Sequence, residues 1–401
     1  MFVERRDLPI VNDLLIIGGG MATGRLVKGL SEGGYGGSVT VICAEAVFGY
    51  NRVLLPDYVS GDCTDADLFV RDDVNTCLDF NIRCGEFVEF VNTTERWVRL
   101  NSGEQLHYES LVFATGSVVP SPDLSGIETD NVIELRSIED ARNLQKLAAS
   151  ASKALVLGGG LLGLEAGKAL LQLGLDVCVV HRSTHLMNRQ LDAEGAELLR
   201  QKLQEQGFRF VLGQTIAKVH GESSVASVEL EDGGEMPADL LLIATGAQAN
   251  DSLALITDIE CDGGICVNEQ LETSVAGVFA IGECALVNEV HYTLVEPVFH
   301  QADVLAANLC GEKMSCEFPA PSTRLKVSGI EVFSTGVVSD AAVDADVRIA
   351  SVDVYRRLLF RRDVLQGAIL IGDAVGSQNI YQSIGQKVSH SQDRERLAFG
   401  L

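Results

Sequence analysis

The chain has 401 residues, of which 46% are hydrophobic and 22% are charged, and its formal net charge is −25. This length exceeds what one compact core holds and predicts two or three domains. The negative charge argues against nucleic acid as a partner, and no apolar run is long enough to span a membrane. Two explanations of the charge remain open, which are solubility and steering toward a basic partner.

Two similar strand–helix–strand patterns follow each other along the chain. The first reads "DLLIIGGG", "MATGRLVKGLSEG" and "SVTVICAE", starting at Asp13, and the second reads "KALVLGGG", "LLGLEAGKALLQLG" and "LDVCVVHR", starting at Lys153. Each is followed by a strand that ends in Ala-Thr-Gly, at Ala114 and at Ala244. The repetition predicts a duplicated α/β architecture with parallel sheets. Strands "IEVFSTG" and "LQGAILIGD" without a glycine turn predict a smaller domain after about Pro319.

The first glycine turn is typical of a dinucleotide site. Gly18 and Gly20 fill the first two glycine positions, whereas Thr23 occupies the third and is followed by Gly24. Such a turn lets a pyrophosphate approach the backbone and the free N–H groups of the helix N-terminus. Because Thr is bulkier than Gly, we expect the helix and the strand to lie slightly apart. Glu45, at the end of the second strand, is expected to accept hydrogen bonds from ribose hydroxyls.

The second glycine turn matches the pattern in full, with Gly158, Gly160 and Gly163. His181 and Arg182 stand at its second strand end, where an acid would favour NAD. Basic residues there can bind a 2′-phosphate, which would favour NADPH; alternatively both are solvated loop residues. The sequence leaves the choice between NADH and NADPH open.

The ten cysteines are scattered and include no CxxC pair. Zinc and iron–sulfur sites use clustered cysteines, so we expect no metal site. Small buried thiols in a reduced chain are the better interpretation, and they predict a cytoplasmic protein.

Longer stretches carry a family resemblance. The two turns with "ATGS", "ATGAQAN" and "VFAIGECA" resemble the FAD-dependent pyridine nucleotide oxidoreductases. "FGYNRVLLPDYVSG" and "IGECALVNEVHYTLVEPVFHQADVLAANLCG" are similar to the flavin module of NAD(P)H-dependent nitrite reductase large subunits, which is related to rubredoxin and ferredoxin reductases. The resemblance implies an α/β fold with two Rossmann-like domains, the second inserted in the first, and a small α+β C-terminal domain. The expected boundaries are 1–125 with 251–318 for FAD, 126–250 for NAD(P)H and 319–401 for the C-terminal interface domain.

The resemblance also implies two cofactors, FAD in the first turn and NAD(P)H in the second. It places Asn51, Arg52 and Glu283 near the FAD. The full set of expected cofactor-binding residues is Gly18, Gly20, Thr23, Gly24, Glu45, Asn51, Arg52, Thr115, Gly116, Gly158, Gly160, Gly163, His181, Arg182, Thr245, Gly246, Gly282 and Glu283.

One position departs from the relatives. Related ferredoxin reductases often carry a Lys near the flavin, a few residues after Tyr-x-Arg, but this chain has Pro56 and Asp57 there. Glu165 would have been the partner of that Lys, and it is the expected catalytic residue. Three alternatives stay open for Glu165: pairing with Arg52, a place beside the nicotinamide, or exposure on a helix.

The predicted function is an FAD-dependent NAD(P)H reductase that passes electrons to a small redox protein or a reductase subunit, such as a rubredoxin, a ferredoxin or a nitrite or nitrate reductase component. The resemblance further implies a possible homodimer through the C-terminal domain. Two alternatives remain: an NAD(P)H oxidase or diaphorase that reduces oxygen or quinone, and a flavin-based redox-sensing binding protein.

Overall fold

The computed structural model describes residues 11–69, 80–120, 122–317, 322–339 and 343–401. The strands are β1 (Val11–Ile17), β2 (Val39–Cys43), β3 (Phe80–Cys84), β4 (Val88–Asn92), β5 (Trp97–Leu100), β6 (Gln105–Phe113), β7 (Ser117–Val118), β8 (Val132–Glu134), β9 (Lys153–Leu157), β10 (Asp176–His181), β11 (Arg209–Leu212), β12 (Ile216–His220), β13 (Ser227–Leu230), β14 (Glu235–Pro237), β15 (Leu240–Ile243), β16 (Gln248–Ala249), β17 (Ile265–Val267), β18 (Val278–Ala280), β19 (Ala285–Val287), β20 (Val290–His291), β21 (Ser322–Val327), β22 (Ile330–Gly336), β23 (Ala345–Ala350), β24 (Tyr355–Arg361) and β25 (Val364–Ile371). The helices are α1 (Met21–Glu32), α2 (Leu55–Ser60), α3 (Asp65–Leu68), α4 (Ile138–Ala148), α5 (Leu161–Gln172), α6 (Ala193–Glu205), α7 (Ser252–Leu255), α8 (Val295–Leu309), α9 (Ser377–Gln382) and α10 (Ser391–Ala398).

The chain divides into two compact units. Unit 1 comprises Met1–Val53, Thr64–Val118 and Ala247–Glu317, and unit 2 comprises Leu54–Cys63, Val119–Gly246 and Phe318–Leu401. The domain boundaries expected from the sequence remain a prediction, and the one between residues 318 and 319 lies outside the described residues.

Unit 1 is built on a sheet in the order β3-β2-β1-β6-β5-β4, with β18 added beside β6. β1 lies between β2 and β6, parallel to both, so that Ile17 pairs with Ile42 and with Phe113 at the carboxyl ends. The side chains of Leu14, Leu15 and Ile16 are fully buried because helices and loops cover both faces of this central strand. The α/β alternation of apolar strand and helix thus forms the parallel core predicted from the sequence.

Unit 2 repeats this arrangement in the parallel sheet β11-β10-β9-β15-β8. β9 pairs in parallel with β10 and β15, and Leu157 at its end lies opposite Val180 and Ile243. A three-stranded antiparallel sheet, β12-β13-β14, shares a buried core with it. The glycine-turn topology therefore occurs twice in the chain, once in each unit, as expected.

The C-terminal part of unit 2 is a five-stranded antiparallel sheet, β21-β22-β25-β24-β23, with its own buried core. Asp192, the N-cap of α6, links it to the preceding part of the unit. The Asp192 carboxylate accepts hydrogen bonds from the Gly195 N–H at 2.9 Å, from the Tyr355 hydroxyl at 2.6 Å and from Arg357 Nη1 at 2.7 Å. Only 4% of the Arg357 side chain is exposed, so this ion pair is largely removed from water.

Candidate functional site

The first glycine turn joins β1 to α1 in unit 1. Gly18 has φ +117°, and a Cβ atom there would lie 2.1 Å from the carbonyl oxygen of Ala114, so that only glycine fits. Gly20 is the N-cap of α1, and a Cβ on it would meet no atom closer than Arg52 Nε at 3.9 Å. The turn therefore leaves open space at a helix N-terminus whose N–H groups are available to an anion.

The third position of this turn holds a threonine that is completely buried. Thr23 Oγ1 donates a hydrogen bond of 2.7 Å to the carbonyl oxygen of Gly18. The side chain thus satisfies a carbonyl in the turn, and the wider spacing of helix and strand expected from its size remains a prediction. Gly24 follows it, and its N–H donates to the carbonyl oxygen of Gly20 at 3.1 Å, which is the first bond of α1.

Three side chains after β2 gather beside this turn. Arg52 forms an ion pair with the Glu45 carboxylate and lies over the ring of Tyr50, 4.9 Å from its centroid. The Tyr50 hydroxyl donates to Glu45 Oε2 at 2.6 Å. Burial alone would lower the pKa of Arg52, but Tyr50 and Glu45 raise it above its ordinary value. Since a carboxylate has about four acceptor positions, Glu45 keeps capacity for a ribose hydroxyl. Asn51 Oδ1 accepts from the Val53 N–H at 3.1 Å and caps the local turn.

The carboxyl ends of β6 and β18 supply the other expected residues of unit 1. Thr115 Oγ1 donates to the carbonyl oxygen of Asn250 at 2.5 Å, and Gly116 follows it directly. The Ser117 hydroxyl donates to Glu283 Oε2, which joins the Ala-Thr-Gly segment to the segment after β18. Unit 1 therefore brings together Gly18, Gly20, Glu45 and Arg52 on one side and Thr115, Gly116 and Glu283 on the other.

Gln301, on α8, is a residue that the sequence analysis missed. It is completely buried, and its Oε1 accepts from the Gly282 N–H at 2.6 Å. Its Nε2 has no hydrogen-bond partner among the described residues. A buried donor without an acceptor is costly, so this amide marks a place that another polar group would stabilise. Its only sequence signal is its place in "VEPVFHQAD", where no motif distinguishes it from its neighbours.

The open turn, the acid at the strand end and the buried amide together fit an extended dinucleotide. The N-terminus of α1 and the gap at Gly20 suit a pyrophosphate, and Glu45 suits a ribose diol. This donor set is the one expected for FAD.

The second glycine turn, in unit 2, has nearly the same backbone. Gly158 has φ +131°, and a Cβ there would lie 2.0 Å from the carbonyl oxygen of Ala244. Gly160, the N-cap of α5, has open space around its Cα. A Cβ on Gly163 would lie 2.1 Å from the carbonyl oxygen of Gly158. The start of α5 is therefore too close to the turn for any residue but glycine at this position. Thr245 and Gly246 follow β15 and are exposed.

The residue at the end of β10 is tied to this turn. The Gly159 N–H donates to His181 Nδ1 at 3.1 Å. Burial lowers the pKa of His181, Arg182 and His185 lower it further, and Asn188 partly opposes them. The neutral ring therefore accepts at Nδ1 and carries its proton on Nε2. Arg182 is exposed and forms no ion pair within the described part of the chain.

Glu165 lies in the second turn of α5, which packs against α2 in unit 2. Burial, and then the negative charge of Asp57, raise the pKa of Glu165 from 4.5 to about 7. The side chain is thus partly buried and lies near a second carboxylate. Arg52 has its ion pair with Glu45 in the other unit. Asp57 is the charged neighbour that sequence reasoning did not assign.

The described cysteines are free thiols, and burial raises the pKa of Cys43 to about 11. The described residues contain no group of three or more His, Cys, Asp or Glu side chains that could hold a metal ion. In the same part of the chain, no helix has the length and hydropathy needed to cross a membrane.

The fold and the paired turns define a class, the enzymes that bind two dinucleotides and transfer hydride equivalents between them. Residues 12–303 match the family described as pyridine nucleotide-disulphide oxidoreductase, and residues 321–388 match the rubredoxin NAD+ reductase C-terminal domain. The chain belongs to the pyridine nucleotide-disulphide oxidoreductase family. The expected fold class, the class of FAD-dependent NAD(P)H oxidoreductase and the two cofactors are thereby confirmed.

Two relatives of different length illustrate the matches. The chain is 33% identical to nitrite reductase [NAD(P)H] of Bacillus subtilis over 384 residues, which are 94% of this chain and 48% of that protein. It is 28% identical to rubredoxin-NAD(+) reductase of Acinetobacter baylyi over 379 residues, which are 92% of this chain and 96% of that protein. The chain thus spans about half the length of the nitrite reductase it matches.

Among solved structures, NADH:rubredoxin oxidoreductase from Clostridium acetobutylicum has the same fold. The TM-score is 0.83 at 24% identity, with 98% of this chain and 100% of that chain covered.

Proposed function

We propose that the chain takes electrons from NAD(P)H bound in unit 2, through FAD bound in unit 1, to a small redox protein or a reductase subunit. The observation that carries this proposal is the pair of glycine turns. They share one backbone geometry, but an acid stands at one strand end and basic residues at the other. FAD, when bound, supplies the capacity to accept a hydride and to release electrons one at a time.

The residues of unit 1 hold and orient the flavin dinucleotide. Gly18, Gly20, Thr23 and Gly24 shape the turn for the pyrophosphate, and Glu45 accepts from the adenosine ribose. Arg52 forms an ion pair with the Glu45 carboxylate and holds it in place beside the turn, and its guanidinium suits a phosphate there. Asn51, Thr115, Gly116, Gly282 and Glu283 complete the proposed FAD set.

The residues of unit 2 hold the nicotinamide dinucleotide. Gly158, Gly160 and Gly163 shape its turn, His181 and Arg182 face the adenosine end, and Thr245 and Gly246 follow the neighbouring strand. We assign Glu165 to the nicotinamide end because it lies one helical turn beyond Gly160. With its raised pKa it can hold a proton at neutral pH and so limit the negative charge beside a bound nucleotide.

The proposed acceptor is a rubredoxin-like or ferredoxin-like protein, or a nitrite or nitrate reductase component. Rubredoxin-NAD(+) reductase of Acinetobacter baylyi is matched over 96% of its length, which supports a small separate acceptor. The match to about half of a nitrite reductase supports an electron-input module for a larger enzyme. The net charge of −25 favours a partner with a basic docking face.

We also propose a homodimer formed through the C-terminal part of unit 2. Val375, Phe399 and Leu401 there are exposed by 64%, 60% and 74%. Apolar side chains left exposed together favour burial against a second copy. Free thiols fit a reducing compartment, so the cytoplasm is the proposed location.

The test is an anaerobic titration of the purified flavoprotein with NADH and with NADPH. We expect one nucleotide to bleach the flavin absorbance within seconds and a rubredoxin added afterwards to restore it. A flavin that neither nucleotide reduces would overturn the proposal. Rapid oxygen or quinone reduction without any protein acceptor would favour the oxidase or diaphorase, and a long-lived reduced complex with little turnover would favour the sensor.

A further inference from the structure

Two of the free thiols stand side by side at the carboxyl ends of neighbouring strands. Cys43 ends β2, Cys84 ends β3, and the parallel register pairs these two residues with each other. Neighbouring strands lie about 4.8 Å apart, and the Cα atoms of a disulfide lie about 4.4–6.8 Å apart. Because residues paired in this way project from the same face of the sheet, the two side chains are placed for a bond between their sulfurs.

The surroundings give the two thiols different roles. Cys84 is exposed on β3, the outermost strand at this side of the described sheet, whereas Cys43 is only 2% exposed. Burial raises the pKa of Cys43 to about 11, and the charge of Cys84 contributes to the rise, so the two groups are close in space. A dissolved oxidant therefore reaches Cys84 first, and Cys43 is the neighbour that can complete a disulfide.

Cys43 also packs against the first glycine turn. A Cβ on Gly19 would lie 2.3 Å from Cys43 Sγ, so this side chain lies directly on the backbone of the turn. The same thiol donates to the carbonyl oxygen of Val47 at 3.5 Å, in the segment that carries Glu45. A bond to Cys84 would remove that donor and draw the sulfur toward β3, away from the turn and from the segment after β2.

We propose that Cys43 and Cys84 form a reversible disulfide whose formation weakens the binding of FAD to unit 1. The effect on FAD rests on the proposed function, which assigns FAD to the first turn, whereas the disulfide itself does not. A disulfide that must displace a packed side chain is strained, and strained disulfides are the ones that are readily reduced again. Transient disulfides of this kind act as redox sensors in reducing compartments.

The oxidant is a small-molecule disulfide, for which glutathione disulfide is the probe. The Cys84 thiolate attacks one of its sulfurs, which forms a mixed disulfide and releases one glutathione thiolate. The Cys43 thiolate then attacks Cys84 Sγ, which forms the protein disulfide and releases the second glutathione thiolate. The two protein thiols are oxidised and give up their protons, and one glutathione disulfide is reduced to two glutathione thiols. An excess of dithiothreitol reverses the exchange.

Peptide mapping tests the bond. Trypsin cleaves after lysine and arginine, which places Cys43 in the peptide 29–52 and Cys84 in the peptide 84–96, each without a second cysteine. The holoprotein is incubated with glutathione disulfide, its remaining thiols are alkylated, and the digest is analysed by mass spectrometry. We expect the two peptides joined to each other and separated by dithiothreitol. Glutathione on Cys84 beside an alkylated Cys43, or two alkylated peptides, would overturn the proposal.

Flavin fluorescence tests the consequence by giving the Kd for FAD before and after oxidation. We expect this Kd to rise about three- to tenfold in the wild type and to return with dithiothreitol. Cys84→Ser removes an exposed partner and should show no rise. Cys266→Ser, which removes a half-buried thiol on β17 of the same unit, is the matched control and should respond as the wild type does.

Two further outcomes separate this inference from the proposed function. An unchanged Kd for FAD in protein that carries the joined peptides would overturn the effect of the disulfide on FAD and leave the reductase standing. A reduced wild-type protein that binds no FAD would contradict the proposed function, whereas the peptide map would still decide whether Cys43 and Cys84 form the disulfide.

Discussion

The two glycine turns are nearly the same in backbone, but several of the side chains that surround them differ. Gly18 and Gly158 have φ of +117° and +131°, and each lies against the carbonyl oxygen of an alanine that directly follows a neighbouring strand. The residue five positions later is Thr23 in one turn and Gly163 in the other. Seven positions later stand Arg25 and Glu165, and the strand ends carry Glu45 and His181.

This contrast separates what two dinucleotides share from what distinguishes them. Both contain a pyrophosphate, and the backbone that receives it is repeated because N–H groups and a tight turn do not depend on the rest of the ligand. The ribose substituent and the reacting ring differ, and the side chains at the strand end and in the second turn of the helix differ with them. In α1, Arg25 pairs with Asp303, whereas in α5 Glu165 lies near Asp57.

The largest effect is expected from a methyl group placed in either turn. Gly18→Ala and Gly158→Ala each force a Cβ to within about 2 Å of a backbone carbonyl oxygen at positive φ. We expect Gly18→Ala to weaken FAD binding at least about tenfold and Gly158→Ala to keep flavin but lose reduction by NAD(P)H to a similar degree. Flavin content after dialysis and the rate of anaerobic reduction measure the two effects.

Gly34→Ala and Gly174→Ala are the controls for those variants. Both glycines follow their helices at positive φ, and a Cβ on either meets no atom within 4 Å. They also place an alanine at positive φ, but without the collision. Equal flavin loss in Gly18→Ala and Gly158→Ala would contradict the assignment of FAD to the first turn and NAD(P)H to the second.

A smaller effect, on the pH dependence of stability, is expected from Glu165 and its neighbour Asp57 in unit 2. The folded protein holds a proton on Glu165 up to about pH 7, whereas the unfolded chain releases it near pH 4.5. Between these values the unfolded state binds fewer protons, so this group makes stability fall as pH rises. Glu165→Gln cannot ionise and should be more stable than wild type at pH 8 by about 1–3 kcal/mol, but not at pH 4.

Urea unfolding of wild type and Glu165→Gln at both pH values checks this prediction. Glu205→Gln, an exposed residue at the end of α6, serves as the control. Asp57→Asn should produce part of the same gain by removing the repelling charge. Parallel pH dependences for wild type and Glu165→Gln would contradict the shifted pKa.

The smallest effect is expected at Arg25, which stands in α1 at the position that Glu165 has in α5. Arg25 Nε lies 2.5 Å from Asp303 Oδ1, but the two side chains are 39% and 41% exposed. Water and salt screen such a pair, so Asp303→Asn should cost less than about 1 kcal/mol and leave flavin content unchanged. A loss of flavin from Asp303→Asn would place this pair in the FAD site.

The sequence predicted the repeated part of the molecule well. Apolar runs such as that of β1, and the glycines that must have positive φ, follow from local rules that hold wherever the fold occurs. Gln301 and Asp57 were missed because their importance arises from packing between segments far apart in the chain. Nothing in the pattern around Gln301 shows that its amide is buried, and only the packing of α2 on α5 brings Asp57 to Glu165.

The Asp192 carboxylate fixes the far end of the segment that follows β10, residues 182–191. Residues 182–191 are fixed at one end by the glycine turn through His181, and at the other by Tyr355 and Arg357 of the C-terminal sheet. A chimera made by exchanging only the nucleotide-binding segment with that of a relative would break this contact and remove one of the two carboxylates, Asp192 and Asp346, that pair with the buried Arg357. Exchanging this segment for that of a relative therefore requires the C-terminal sheet to be exchanged with it. Single substitutions at His181 or Arg182 leave the contacts of Asp192 with Tyr355 and Arg357 in place.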